Sequence, residues 1–325
     1  MMAGRPAAPI TITPAVLPAA QLAVINVTPR DLYAVMSDKR EWLQWLARHR
    51  LIRNNVDCGT CRRPMALVGR QESNDGFSWR CRRCNTRCSV KTGSFFANCD
   101  LTTEKIVMIM YYWLYELKCK HVMLFENLTS WDTIVNYNNY FRKECCDWLL
   151  TTNQLLGGFD GNGQSLVVEV DESYFFRRKY HRGRRRRGKW VVGLVERATG
   201  RCWMEVVARR DAATLDRIIT AHVLPGTTIV TDAWRGYQNV AQLNNGVYDH
   251  CVVVHARAFV DPVHDDIHTE TIEGLWMQAK RKLRYQSGTS RGLFSTYLSE
   301  FQWRNSHKQH VFGCYLQMLC ANYNI

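Results

Sequence analysis

No apolar run in this chain approaches the roughly 20 residues that a helix needs to cross a bilayer. That argues against a membrane span. The first 30 residues lack a charged start, a compact apolar stretch and a cleavage site, so a secretory signal is not expected. This Ala- and Pro-rich stretch, 1–30, reads as a disordered tail. Acidic residues are scarce. Asp and Glu number 29 against 43 Lys and Arg, giving a net charge of +14 over 325 residues. An imbalance of that sign favours a polyanionic partner over simple solubility. Internal repeats and long low-complexity stretches are missing too. What is present is core material. The hydrophobic fraction is 46%, and the length suits two or three domains.

Thirteen cysteines are many, and the number is odd. Their spacing suggests metal rather than disulfides. Cys58-x2-Cys61 is followed, after 19 residues, by Cys81-x2-Cys84. Each C-x2-C knuckle lets two sulfurs of one turn face one ion, and four thiolates at this spacing fit a tetrahedral zinc ribbon. Cys88 is the alternative to Cys84. Four ligands leave no open position, so the zinc is read as structural. Arg62, Arg63, Arg80, Arg82, Arg83 and Arg87 crowd the knuckles and suit phosphate contacts. A thiol-rich chain of this kind implies a reducing compartment: the nucleus in a eukaryotic host, otherwise the cytoplasm, and not the secreted space.

Hydrophobic spacing predicts a helix from Asp31 to Leu51, through Leu32, Val35, Trp42, Trp45 and Leu46. Residues 31–92 are taken as this helix plus the ribbon. Residues 93–160 are taken as a DNA-binding region that is helical throughout Leu101–Thr152, with a buried segment at Thr103–Leu117 and a further helical stretch at His121–Glu126. A break at Asn127-Leu128-Thr129-Ser130 precedes a helix from Trp131 to Leu150, with Ser130 as a candidate N-cap. Two helices across a short turn suggest a helix-turn-helix. The glycine-rich Gly157–Gly163 loop is a natural boundary. Beyond it, in 161–325, strands are expected at Leu166–Val170, Trp190–Val195, Cys202–Val207, Thr228–Thr231 and His250–Val254. Helices are expected at Ala212–His222, Gly236–Leu243, His268–Leu283 and Leu293–Ser306. The order β-β-β-α-β-α-β-α is that of an RNase H-like α/β domain with a mixed sheet.

Two aspartates follow β-branched runs in this region: Asp171 after Val167-Val168-Glu169-Val170, and Asp232 after Ile229-Val230-Thr231. A strand ending in Asp presents its carboxylate at the sheet edge, facing a cleft. Alone, such an Asp is ordinarily a turn residue or a helix cap. As a pair on neighbouring strands, in a basic chain, they suit a site for two divalent cations, Mg2+ with Mn2+ as substitute. A third acid is expected on the following helix. Glu270 and Glu273 lie three apart and share a face. Lys280, seven beyond Glu273, falls on that face as well and could reach a phosphate. The spacing favours Glu273, with Glu270 as the alternative.

Arg177 to Lys189 carries nine basic residues and no acid, including Arg184, Arg185, Arg186, Arg187 and Lys189. A solvated loop, a nuclear import signal and a phosphate clamp compete here, and the clamp is preferred beside the acids. Arg281 extends a second basic stretch, Lys280-Arg281-Lys282-x-Arg284. Trp234, Tyr237, Trp276 and Trp303 read as core or cleft walls.

Several motifs are shared, in order, with a known family. They are Val168-Glu169-Val170-Asp171-Glu172-Ser173-Tyr174, Gly193-x-Val195-Glu196-Arg197, Thr231-Asp232-Ala233-Trp234-Arg235-Gly236-Tyr237, His268-Thr269-x-Thr271-Ile272-Glu273-Gly274-x-Trp276-x-x-x-Lys280-Arg281 and Glu300-Phe301-x-Trp303-Arg304. Across roughly residues 40–310 the chain resembles DDE transposases of the Merlin type and their bacterial insertion-sequence relatives. That resemblance implies a zinc ribbon and helix-turn-helix ahead of an RNase H-like catalytic domain. It implies DNA cleavage at terminal inverted repeats and strand transfer to a target, by a dimer or larger assembly. Catalytic roles pass to Asp171 and Asp232, and the third position falls to Glu273 or Glu270. A domesticated DNA-binding protein that has lost the reaction is the alternative.

Overall fold

The computed structural model describes residues 11–152, 154–176, 188–253, 268–285, 292–323 and 325. In chain order its helices are α1 (Ala19–Leu22), α2 (Pro29–Met36), α3 (Lys39–Arg48), α4 (Thr103–Leu114), α5 (Cys119–Phe125), α6 (Trp131–Thr152), α7 (Ala212–His222), α8 (Glu270–Tyr285), α9 (Phe294–Ser306) and α10 (Val311–Tyr323). The strands are β1 (Ala66–Gly69), β2 (Phe77–Arg80), β3 (Arg87–Ser89), β4 (Leu156–Gly157), β5 (Val167–Phe175), β6 (Lys189–Glu196), β7 (Cys202–Val207), β8 (Val223–Leu224), β9 (Thr228–Asp232) and β10 (Asp249–Val253). The chain divides into two units. One holds the described residues up to Glu144 together with Gln309–Ile325, and the other is Cys145–Lys308.

In the first unit, the stretch expected to be a disordered tail is ordered from residue 11 onward. The Ile12 and Thr13 amides bond to Asn54, and Leu22 is fully buried. Two carbonyls of this stretch, Leu22 and Ile25, lie so near Gly313 of α10 that a Cβ there would collide with them. The helix foreseen at 31–51 is two helices. Asp38 interrupts it, because its carboxylate caps α3 by accepting the Arg40 and Glu41 amides. Helix α4 is buried from Ile106 to Leu114, which explains an apolar composition on every side. Its first turn is tied to the loop between β1 and β2. Asp75 accepts the Thr103 amide and hydroxyl at 2.8 and 2.9 Å and pairs with Lys91 at 3.2 Å. Helices α5 and α6 follow, separated by Glu126–Ser130. Helix α10, unforeseen in sequence within a stretch assigned to 161–325, belongs to this first unit.

The second unit is a mixed five-stranded sheet in the order β10-β9-β5-β6-β7. Strand β6 runs antiparallel to both neighbours, while β5, β9 and β10 are mutually parallel. Successive side chains of a strand point to opposite faces, and β6 shows it. Val192 and Leu194 pack with Leu215, Ile218 and Ile219 of α7, whereas Val191 and Val195 pack with Ile272, Leu275 and Trp276 of α8 and Phe301 of α9. The sheet is therefore covered by α7 on one face and by α8 and α9 on the other. The segment foreseen as a helix at 236–243 is two short 3-10 turns, Arg235–Tyr237 and Val240–Asn245. Among the described residues no helix is long and apolar enough to cross a membrane.

Candidate active site and metal centre

The two cysteine knuckles repeat one backbone design. The Cys58 amide bonds to the Arg63 carbonyl and the Cys81 amide to the Thr86 carbonyl, both at 2.8 Å. The Arg62 amide returns to Cys58 O at 2.8 Å and the Asn85 amide to Cys81 O at 3.0 Å. Arg62 and Asn85, each just after the second cysteine of its pair, take left-handed φ of 57° and 58°. These turns bring the Cys58, Cys61, Cys81 and Cys84 sulfurs within 4.8 Å of one another. Cys88 lies outside the cluster, with its thiol on Met65 Sδ at 3.9 Å, so Cys84 is the fourth member. Backbone N–H groups of Cys61 and Thr60 hold the Cys58 thiol down to about 6, whereas the Cys61 side chain and burial push Cys84 up to about 12. Such a set can hold a metal ion. Arg62, Arg63, Arg80, Arg82, Arg83 and Arg87 are all exposed around it.

In the second unit, Asp232 ends β9, as its sequence suggested. Asp171 does not end a strand. It is the fifth of nine residues in β5 and pairs with Gly193 of β6. The run of Asp171, Glu172 and Ser173 looks like a turn in sequence, yet ladder bonds to β6 continue through Phe175. Pairing between β5 and β9 stops at Glu169 with Val230. Two residues further, the same register brings Asp171 level with Asp232, where the two strands part.

Alternation sends Glu169, Asp171, Ser173 and Phe175 to the face under α8. There the helix and the strand are bonded rung by rung. The Ile272 amide donates to Glu169 Oε2 at 2.8 Å, the Trp276 indole N–H to Asp171 Oδ2 at 2.9 Å, and the Lys280 ammonium to Ser173 Oγ at 2.6 Å. Four residues of helix rise roughly 6.0 Å and two residues of strand roughly 6.6 Å, so steps of four and of two keep pace. Glu169 anchors the first rung. It is fully buried and accepts Arg197 Nε at 2.9 Å, while Arg197 also donates to the His268 carbonyl at 2.9 Å. A buried carboxylate at the first turn of α8 satisfies one of its otherwise unpaired amides.

This frame sets the electrostatics. Burial raises the Asp171 carboxyl above its ordinary range, and the charges of Asp232 and Glu273 raise it further. The Trp276 N–H and the Glu172 amide oppose that rise. Glu172, on the opposite face of β5, is pushed up to about 7 by burial, with Asp171 and Asp232 adding and Tyr237 and Arg210 opposing. Burial lowers the Lys280 ammonium, against the pull of Asp171. Glu273 is exposed on α8, one turn before Trp276. Glu270 opens the helix, also exposed, with its amide on His268 Nδ1 at 3.3 Å. The three acids are gathered less tightly than the cysteines: among the described residues, no set of three carboxylates or histidines brings its ligand atoms within 4.8 Å.

Of the basic residues singled out, Lys189 opens β6 and lies 5.8 Å from the Phe294 ring centroid. Arg281 is exposed on α8, whereas Lys282 is turned to the buried Glu300 at 2.9 Å. Arg184, Arg185, Arg186 and Arg187 lie outside the described residues. Sequence reasoning passed over Glu169, Ser173, Gly193 and Arg197 as working parts. One available signal was a polar residue at every second place of a central strand, which calls for partners above it.

Asp171 on β5, Asp232 on the neighbouring parallel strand β9 and Glu273 on the covering helix α8 thus belong to one sheet and its cover. The ISXO2-like transposase domain family matches residues 161–306. An uncharacterized transposase-like protein of Haemophilus influenzae is 31% identical over 104 residues, covering 32% of this chain and 80% of that protein. The chain belongs to the insertion-sequence transposases. It is also similar to male abnormal protein mab-31 of Caenorhabditis elegans, 24% identical over 247 residues, which are 70% of this chain and 57% of that protein's length. A chain from a simian T-cell lymphotropic virus intasome, solved with a PP2A regulatory subunit, superposes at a TM-score of 0.31 with 13% identity, over 60% of this chain and 67% of that one.

Proposed function

We propose that this protein is a metal-dependent DNA transposase with an RNase H-like catalytic domain in its second unit. The observation that supports the reading is the parallel β5–β9 register, which, continued two residues past Glu169 and Val230, would set Asp171 level with Asp232 beneath the helix that carries Glu273. Asp232 and Glu273 both repel the largely buried Asp171 carboxylate, and hard oxygen donors of this kind fit Mg2+ or Mn2+. Asp171, Asp232 and Glu273 would hold two such ions, with Glu270 set aside at the mouth of the helix. When bound, the ions would supply charge stabilisation for the attacking and leaving oxygens of phosphoryl transfer.

The chain's own groups do the rest. Asp171 and Asp232 present their carboxylates from strands, which hold position better than loops. Lys280, on the Asp171 face, would pair with a DNA phosphate, as would Arg281 and Lys189 at the rim. In the first step water attacks a phosphorus at the element end, the bond to the 3′ oxygen breaks, and that oxygen takes a proton. In the second, this 3′-hydroxyl attacks a target phosphodiester, exchanging one P–O bond for another. The four cysteines would hold a structural Zn2+, and the arginine-rich ribbon with α5 and α6 would contact the terminal inverted repeats. Pairing two ends requires a dimer or larger assembly.

The test is cleavage and strand transfer in vitro with purified protein and an element-end duplex. Asp171→Asn and Asp232→Asn should each lower the rate on the order of a thousandfold, as the loss of several kcal/mol of charge stabilisation implies. Parent-like cutting by both would end the assignment. A second reading, a domesticated DNA-binding protein, is favoured by the similarity to the nematode protein, whose name refers to a male abnormality. It expects end binding without cleavage by the parent itself.

A further inference from the structure

We infer that Trp276 is the positioning residue for Asp171, and that Gly193 is its seat. A carboxylate turns freely about its Cβ–Cγ bond, and two neighbouring acids push this one away from them. The Trp276 N–H holds Oδ2 at 2.9 Å and so fixes that rotation. The indole itself cannot pivot. It is 5% exposed, meets Phe175 edge-on at 5.9 Å and 77°, and lies flush on the backbone of Gly193. A Cβ at position 193 would strike its six-membered ring. Gly193 is also the ladder partner of Asp171. The strand that bonds to Asp171 therefore leaves open the space through which the tryptophan reaches it. A glycine inside a central strand costs stability and ordinarily marks a close approach. Here the approach is that of the ring which aims the acid.

The inference rests on the reading of Asp171 as a cation ligand, and the two can fail separately. The experiment is calorimetric titration of Mn2+ into the zinc-loaded full chain. It compares the parent, Asp171→Asn, Trp276→Phe, Gly193→Ala and the Trp276→Phe/Gly193→Ala double variant. Trp276→Phe keeps a ring and removes the N–H, whereas Gly193→Ala keeps the N–H and displaces the ring. Each should weaken Mn2+ binding roughly 10- to 100-fold, the range for partners that orient a ligand. The double variant should be no weaker than the worse single one. DNA cleavage by Trp276→Phe should show reduced kcat with unchanged KM, and raising Mn2+ should restore the rate. Parent affinity in either single variant, with binding lost in Asp171→Asn, overturns the role of Trp276 and leaves the acid site standing. If Asp171→Asn titrates like the parent, the acid site itself falls, and the role of Trp276 with it.

Discussion

The cysteine cluster and the carboxylates proposed as ligands are assembled by opposite routes. The cysteines are gathered by two local turns of one design, each closed by its own backbone bonds. The acids are gathered by topology. Asp171 and Asp232 stand on parallel neighbours, β5 and β9, and Glu273 stands on α8, which is bonded along β5. The local route gives a compact set, with sulfurs within 4.8 Å of one another. The topological route gives a looser one that depends on distant residues such as Arg197. A closed set suits a permanent ion, whereas an open set suits ions that must share their coordination with a substrate.

That contrast can be attacked in order of expected effect. Stripping the ribbon's metal with a chelator should remove on the order of 10 kcal/mol of folding free energy from that module. It should abolish binding to element ends and leave Mn2+ binding by the acids intact. Loss of both together would show that the sites are not separately built. Next, Arg197→Met strands the buried Glu169 without its cation and should destabilise the second unit by about 3–5 kcal/mol in urea unfolding. An unchanged midpoint would remove Glu169 from the frame.

The third effect belongs to the first unit and depends on pH. His49 is buried against Trp45, donates Nδ1–H to its carbonyl at 2.7 Å, and is held down to about 4 mainly by burial. Its folded value lies below its unfolded one, near 6.5. Its contribution is therefore complete above pH 6.5 and drains away as pH falls toward 4. The total is about 3 kcal/mol at about 1.4 kcal/mol per pH unit. Melting between pH 7 and pH 4 should show a slope that His49→Gln flattens; equal slopes would sink it. The smallest expected change, that of Glu270→Gln, separates the two helix glutamates. Glu270→Gln should cut DNA within about twofold of the parent, while Glu273→Gln should fail with the aspartate variants. The reverse result would move the third ligand to Glu270.

The local site was almost wholly legible in sequence, because two residues between cysteines dictate a turn, and a turn dictates where sulfurs go. The sheet was legible as well. β7 and α7 have the bounds that alternation and capping predict, and the other strands of the sheet differ by a few residues at their ends. What escaped was set by packing. Glu172 and Ser173 look like the end of a strand, yet β5 runs on because β6 pairs with it through Phe175. The break at Asp38 needed a capping bond to be recognised, and the ordering of residues 11–30 needed Gly313 on a helix nearly 300 positions away. The bonds from α8 to β5 are invisible in either segment alone. They exist only in the phase between a helix and a strand.

That phase has a consequence of its own. A four-residue helical step falls roughly 0.6 Å short of a two-residue strand step. The two scales therefore act as a vernier, coinciding over a few divisions and then drifting apart. The first two divisions are read by a rigid amide and a rigid indole. The third is read by the long side chain of Lys280, which can absorb the accumulated error. One residue inserted between Ile272 and Trp276 would swing everything beyond it by about 100°. Substitution can thus change what the face of α8 carries, whereas a change in the count of residues along it unseats the rungs beyond.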